Sequence, residues 1–175
     1  MASNKSSALK IGDLIDVSIE KVAHGGHFIA RYNGAVIFVR HAIPGEHCTV
    51  EITSTGSSFN RGDVVSISEP SEFRVQPPCQ YSHRAGCGGC DFQHIDPGYQ
   101  RTLKSHVITE QFSRIAKQDI QVEVEEVGSP VGWRTRAIAT TNRNGKLGFY
   151  KSRSHSIAPV ENCIICIDGM NFSEI

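Results

Sequence analysis

The chain has 175 residues and 19.2 kDa, enough for one ordinary domain or two small ones and too little for a large multidomain enzyme. Apolar residues make up 39% and charged residues 21%, and no stretch approaches the ~20 apolar residues a membrane span needs, so a membrane protein is excluded. Eighteen Lys+Arg balance 18 Asp+Glu, so a nucleic-acid partner would have to be held by a local patch and not by overall charge.

Residues 1–8 are polar and Ser-rich and read as a flexible tail; without the apolar segment of a secretory signal, they predict a cytoplasmic protein. From residue 9 to 70 apolar residues recur with a period near two: Leu14/Val17/Ile19, Phe28 to Tyr32, Ala35 to Val39, Val50/Ile52 and Val64/Ile67. These predict about five short strands, with Asn33-Gly34 as a two-residue hairpin turn and Gly25-Gly26 and Pro44-Gly45 as further turns. A small OB-like antiparallel barrel fits, because closure removes exposed sheet edges. His24 and His27 flank Gly25-Gly26 with no third ligand adjacent, and they read as unliganded.

Prolines at 70, 77 and 78 mark a boundary, and residues 71–175 read as a second, α+β unit. Its cysteine-rich start is followed by Asp96-Pro97, a helix N-cap with Pro in the first turn. Leu103, Val107, Ile108, Phe112 and Ile115 give that helix an apolar stripe through Lys117. A strand is predicted over 120–127, where Val122 and Val124 alternate with acids, and then a hairpin from Trp133 to Thr141 and Leu147 to Lys151, turning at Asn144-Gly145.

Cys79, Cys87 and Cys90 are spaced C-x7-C-x2-C, with Gly88-Gly89 between the last two. Two Cys separated by two residues can place both sulfurs on one metal, and three thiolates call for a fourth ligand, for which Cys163 and Cys166 are the candidates. Spacing leaves zinc and an iron–sulfur cluster level, with ordinary buried thiols as the competing reading. Cys48, alone in a predicted strand, reads as a small buried residue. Between residues 133 and 153 stand Arg134, Arg136, Arg143, Lys146, Lys151 and Arg153, and no acid. On one hairpin, with Arg134 and Arg136 on the same face of a strand, several could meet one phosphate backbone, while Trp133 and Tyr150 could stack on bases. In the barrel, where acids slightly outnumber Lys and Arg, RNA would have to be met by local groups, and Arg31, Arg40 and Arg61 are the RNA-binding candidates. Ser154-His155-Ser156 lacks a nucleophile elbow, and no Gly-rich phosphate loop occurs, so neither a hydrolase nor a nucleotide or S-adenosylmethionine domain is visible.

Ala23-His24-Gly25-Gly26, Ala30-Arg31, Gly34, Phe38-Val39 and Pro44-Gly45-Glu46 resemble a TRAM domain, an RNA-binding OB-like module. Pro78-Cys79 and Cys87-Gly88-Gly89-Cys90-Asp91-Phe92-Gln93-His94 resemble the iron–sulfur segment of bacterial RNA uracil-5-methyltransferases, especially the ribosomal-RNA branch. Gln100, Lys104, Val107, Gly132 to Arg136, Gly148-Phe149-Tyr150, Ser154 and Cys163 continue the likeness in the family's order.

The resemblance implies that Cys79, Cys87, Cys90 and Cys163 ligate a 4Fe–4S cluster with a structural role, zinc being the alternative, and gives Cys166 no part. It implies RNA as partner, ribosomal rather than transfer RNA, with neither DNA nor membrane. In the family a thiolate adds to the uracil ring, S-adenosylmethionine supplies the methyl group and a base removes the ring proton. Those residues lie in a catalytic domain that residues 1–175 do not show. The expectation is therefore a truncated amino-terminal part that binds RNA and a cluster, needs that domain for S-adenosylmethionine, and is inactive alone. The alternative is a stand-alone RNA-binding module, stabilised by zinc or a cluster, without catalysis.

Overall fold

The structure, a computed structural model, describes residues 9–172, so the tail predicted over 1–8 lies outside the described residues. Two compact units divide the chain between Arg74 and Val75. In the first, β1 (Leu14–Ala23), β2 (His27–Tyr32), β3 (Ala35–Arg40), β4 (His47–Ser54) and β5 (Asn60–Glu69) close into a barrel in the order β1-β2-β3-β5-β4. The predicted hairpin turn is present, with Asn33 at φ 48° and Gly34 at φ 84°, the two positive φ values of a type I′ turn.

The barrel is antiparallel at every seam except β3–β5, which is parallel, with Phe38 beside Arg61 and Val39 beside Gly62. An odd number of strands cannot alternate direction around a closed ring, so one parallel seam is a condition of closure. Alternate residues fill the interior: Ile15, Val17 and Ile19 from β1, Phe28 and Ala30 from β2, Ile37 and Val39 from β3, and Cys48, Val50 and Ile52 from β4 are all buried. Leu14 falls on the other face and is exposed. Gly62 is required where β5 crosses β4, since a Cβ there would run into the Val50 side chain and the Glu51 carbonyl.

Glu46 is the one fully buried acid of this unit among the described residues. Its Oε1 takes the Ser71 N–H at 3.1 Å and Arg74 Nε at 2.6 Å, while Oε2 takes the Ile43 N–H at 2.8 Å and Arg74 Nη2 at 2.7 Å. Arg74 Nη2 also donates to the His41 carbonyl at 2.8 Å. This two-pronged ion pair ties the segment after β5 back to the β3–β4 turn. Cys48 is buried beside it, and desolvation, reinforced by the Glu46 charge, pushes its thiol up to about 12; it stays protonated and unreactive at neutral pH.

In the second unit, α1 (Pro97–Gln111) starts as predicted, with Asp96 Oδ1 accepting the Tyr99 N–H at 3.0 Å. It runs into a π-helical turn, Phe112–Ala116, closed by Lys117 at φ 56°. The apolar stripe is only partly used: Leu103 is buried, but Phe112 and Ile115 are exposed. Residues 120–127 form no strand. Val122 and Val124 are half-buried in alternation, and the Val124 N–H donates to Ser105 Oγ at 3.2 Å, yet no neighbouring strand completes a ladder. Alternation specifies a face, not a partner.

The predicted second hairpin is shorter than the pattern implied. Only β6 (Thr140–Thr141) and β7 (Leu147–Tyr150) pair, across a loop in which Asn142 Oδ1 accepts the Asn144 and Lys146 N–H groups. The unpredicted β8 (Ile157–Pro159) completes a three-stranded sheet. Residues 133–139 are not a strand apart from one parallel bridge between Arg134 and Cys166; residues 132–134 hydrogen-bond to the irregular 164–167 segment instead of β7. No helix among the described residues is long and apolar enough to cross a membrane.

Because Glu46 is completely buried and its removal leaves the Arg74 guanidinium without its counter-charge, Glu46→Ala is expected to destabilise the barrel by about 3–5 kcal/mol. Glu20→Ala breaks an exposed pair with Arg31 at 3.5 Å and is expected to cost under ~0.5 kcal/mol. Urea unfolding followed by far-UV circular dichroism, with amide exchange to assign the barrel, measures both.

Candidate metal centre and nucleic-acid surfaces

The thiols predicted as ligands come from three segments of the second unit, each fixed by its own hydrogen bonds. Cys79 is held by its N–H to Gln93 Oε1 at 3.3 Å, and its segment turns through the Ser82 N–H to the Cys79 carbonyl at 3.0 Å. The 87–90 loop is set by the Cys87 N–H on the Tyr81 carbonyl at 2.9 Å and the Gly88 N–H on the Tyr150 carbonyl at 3.0 Å. Gly88 has no room for a side chain: a Cβ would stand 2.5 Å from Ser152 N and 2.8 Å from its Cα. Behind the loop, Gln100 Nε2 on α1 donates to the Phe92 and Ile95 carbonyls at 3.1 and 2.9 Å.

Cys163 arrives on the segment after β8. Its position is set by the Glu161 N–H on Tyr81 Oη at 3.2 Å, by the Val160 N–H on the Leu147 carbonyl at 3.1 Å, and by Gly132, Trp133 and Arg134, whose N–H groups meet the Ile164 and Ile165 carbonyls. All four predicted ligands line one cavity of about 40 Å³, and Cys166 lines it too. The Cys166 N–H closes a turn onto the Cys163 carbonyl at 2.9 Å, which carries the fifth sulfur back toward the other four.

Burial raises the Cys87 and Cys90 thiols, and the neighbouring cysteines raise them further; opposing this, Cys87 is stabilised by the Gly89 N–H and Cys90 by Gln93. Cys166 is raised by burial and by Cys163, against the lowering charge of Arg134. Desolvation and the mutual repulsion of neighbouring sulfurs thus both favour the protonated thiols at Cys87, Cys90 and Cys166.

Among the described residues no three His, Cys, Asp or Glu side chains stand close enough to hold a single metal ion. Tetrahedral thiolates on one zinc would have sulfurs about 3.8 Å apart, from ~2.3 Å bonds.

The predicted RNA-binding residues divide. Trp133 is exposed, with its Nε1–H on the Pro130 carbonyl at 3.2 Å and the Arg134 guanidinium 5.1 Å above its ring. Arg134 itself is half-buried and lines the thiol cavity, so it does not share an open strand face with the exposed Arg136; the pairing with 164–167 turns it inward. Arg143, Lys146 and Arg153 are exposed and Lys151 half-buried; none of these four nor Arg136 makes an ion pair among the described residues.

In the barrel Arg40 is buried, because it ends the β3 row beside Asp63 on β5, and it offers no surface to RNA. Arg31 is exposed beside Glu20. Arg61 lies over two phenyl rings, 4.9 Å from the centroid of Phe59 and 5.6 Å from that of Phe38. Sequence reading missed both phenylalanines; the signal available was Phe38 between the buried Ile37 and Val39, which period two puts outside. His27, flanking the Gly25-Gly26 turn, is buried, with Nδ1–H on the Gly25 carbonyl at 2.8 Å.

Comparison with known proteins bears on the two units differently. Residues 8–65 match the family model of the TRAM domain. An uncharacterized RNA methyltransferase of Streptomyces coelicolor is 38% identical over 92% of this chain and 38% of its own length. A 23S rRNA (uracil(1939)-C(5))-methyltransferase of Vibrio campbellii is 32% identical over 89% of this chain and 36% of its own. The crystal structure of Pyrococcus abyssi tRNA (uracil-54, C5)-methyltransferase with S-adenosyl-L-homocysteine superposes with a TM-score of 0.54 at 20% identity, over 87% of this chain and 33% of that one, which is a likeness of fold. The chain thus spans about two-fifths of the length of the curated relatives it matches. Residues 8–65 are thus a TRAM domain by sequence, and the chain, with identity running on through the thiol-bearing unit, is homologous to part of these RNA methyltransferases.

Proposed function

We propose that residues 9–70 and 71–175 serve as the RNA-binding and cluster-holding parts of an S-adenosylmethionine-dependent RNA uracil-5-methyltransferase acting in the cytoplasm on ribosomal RNA. The observation that supports this most is identity to RNA methyltransferases over about nine-tenths of the chain, across both units. S-adenosylmethionine belongs to this reading only together with a catalytic domain of the kind the longer relatives have length for.

In this reading Cys79, Cys87, Cys90 and Cys163 hold a 4Fe–4S cluster. When bound, the cluster would supply a covalent cross-link between these three segments and offset the mutual repulsion of their thiolates. It thereby fixes the 133–153 stretch, where Arg136, Arg143, Lys146 and Arg153 offer charge to a phosphate backbone and Trp133 an exposed ring for a base.

Purified without oxygen, the chain is expected to carry about four irons with broad absorption near ~400 nm, and Cys163→Ala to lose both; one zinc and no colour would favour the stand-alone module. Gly88→Ala, whose Cβ meets the Ser152 backbone, is expected to lose most of the iron with its four ligands intact, as read by iron analysis. Binding of a 23S rRNA fragment is expected to weaken linearly in log–log form with salt, and Arg136→Ala with Arg143→Ala to flatten that slope by about 2; fluorescence anisotropy measures it, with a transfer-RNA transcript and duplex DNA as competitors.

A further inference from the structure

Phe38, Phe59, Arg61 and His27 form a cluster on the outside of the barrel that the core does not need. On β3, Ile37 and Val39 point inward and are fully buried, so Phe38 points outward. Phe59, just before β5, meets it edge to face at 5.1 Å and is 38% exposed. The parallel β3–β5 seam sets Phe38 directly beside Arg61, and that guanidinium lies over both rings. The His27 ring stands edge to face with Phe38 at 6.2 Å. Because His27 Nδ1–H is committed to the Gly25 carbonyl, Nε2 is the acceptor that faces Arg61 Nη1 at 3.4 Å, which steadies the guanidinium from the side.

We propose that this cluster is a stacking platform for one unpaired RNA base, laid on the Arg61 guanidinium or the open flank of Phe59. The proposal rests on the RNA-binding reading above and gives the barrel its contact point. Two features favour a base over other occupants. A guanidinium plane flanked by aromatic rings matches the π-face of any nucleobase, whatever its sequence. A duplex keeps its bases stacked on one another, so a platform of this kind serves a single-stranded loop or bulge. Arg31, exposed on the same outward row of β2 as His27, stands where a neighbouring phosphate could be met.

The test uses the 175-residue chain with two labelled probes, a uridine decamer and an abasic ribose-phosphate decamer, titrated by anisotropy at several salt concentrations. Phe59→Leu keeps an apolar side chain and removes the ring; Arg61→Lys keeps the charge and removes the plane. Both variants are checked for wild-type thermal unfolding, and Arg61→Lys keeps the proposal testable if Phe59→Leu fails to fold. Each variant is expected to bind the uridine decamer about 5- to 100-fold more weakly, with an unchanged salt slope and no loss on the abasic probe. Variants within twofold of wild type on the uridine decamer would overturn the platform while leaving RNA binding in place. Equal losses on both probes would reduce Arg61 to a phosphate contact and overturn it as well, and a wild-type chain that binds neither probe would overturn the platform and the RNA-binding reading together.

Discussion

Five strands cannot alternate direction around a closed ring, and much of the first unit follows from that constraint. With β1–β2, β2–β3, β4–β5 and β1–β4 antiparallel, β3 and β5 must run side by side in the same direction. A parallel pair cannot be joined by a tight turn, so β4 intervenes, and the chain needs the Pro44-Gly45-Glu46 turn to enter it and the 55–59 loop to leave. The same seam places Phe38 and Arg61 in register, so residues far apart in sequence share one outer face. Closure also leaves the barrel without free edges, which suits a small module with a modest core.

A buried carboxylate holds the turn that makes this possible. Glu46 is enclosed with four hydrogen-bond donors, two of them from one guanidinium. A charge in that position is tolerable only when fully paired, so the arrangement is close to all-or-none. It also explains why Ser71 and Arg74, which lie beyond the last strand among prolines, remain part of the barrel unit.

The second unit is organised on different terms. Its regular structure is sparse: one helix with a single buried residue, and a three-stranded sheet of short strands. Loops carry the rest, and they are fixed by side-chain bridges such as Gln100 to two carbonyls and Tyr81 Oη to the Glu161 amide. Five cysteines surround the cavity they leave. Burial and the neighbouring sulfurs both raise the Cys87 and Cys90 thiols, so this cavity favours their protonated forms.

Strand positions in the barrel were legible because period two is a local property: Ile15, Val17 and Ile19 declare their face without knowledge of a partner. The Asn33-Gly34 turn and the Asp96-Pro97 helix start were legible for the same reason, since a turn and a cap are satisfied within four residues. The C-x2-C pair with a third Cys nearby drew attention to cysteines that the fold brings to one cavity. What depends on distant neighbours was not legible. The 120–127 segment alternates like a strand but finds no ladder, and residues 132–134 bond to 164–167, with Arg134 lining the thiol cavity. Arg40 reads as an available cation until the end of β3 meets Asp63, and Phe38, Phe59 and Arg61 become a cluster only through a parallel seam between non-adjacent strands. Periods, caps and turns are written into neighbouring residues and can be read there; which faces meet is settled only in the folded chain, because pairing and burial depend on residues that sequence spacing keeps apart.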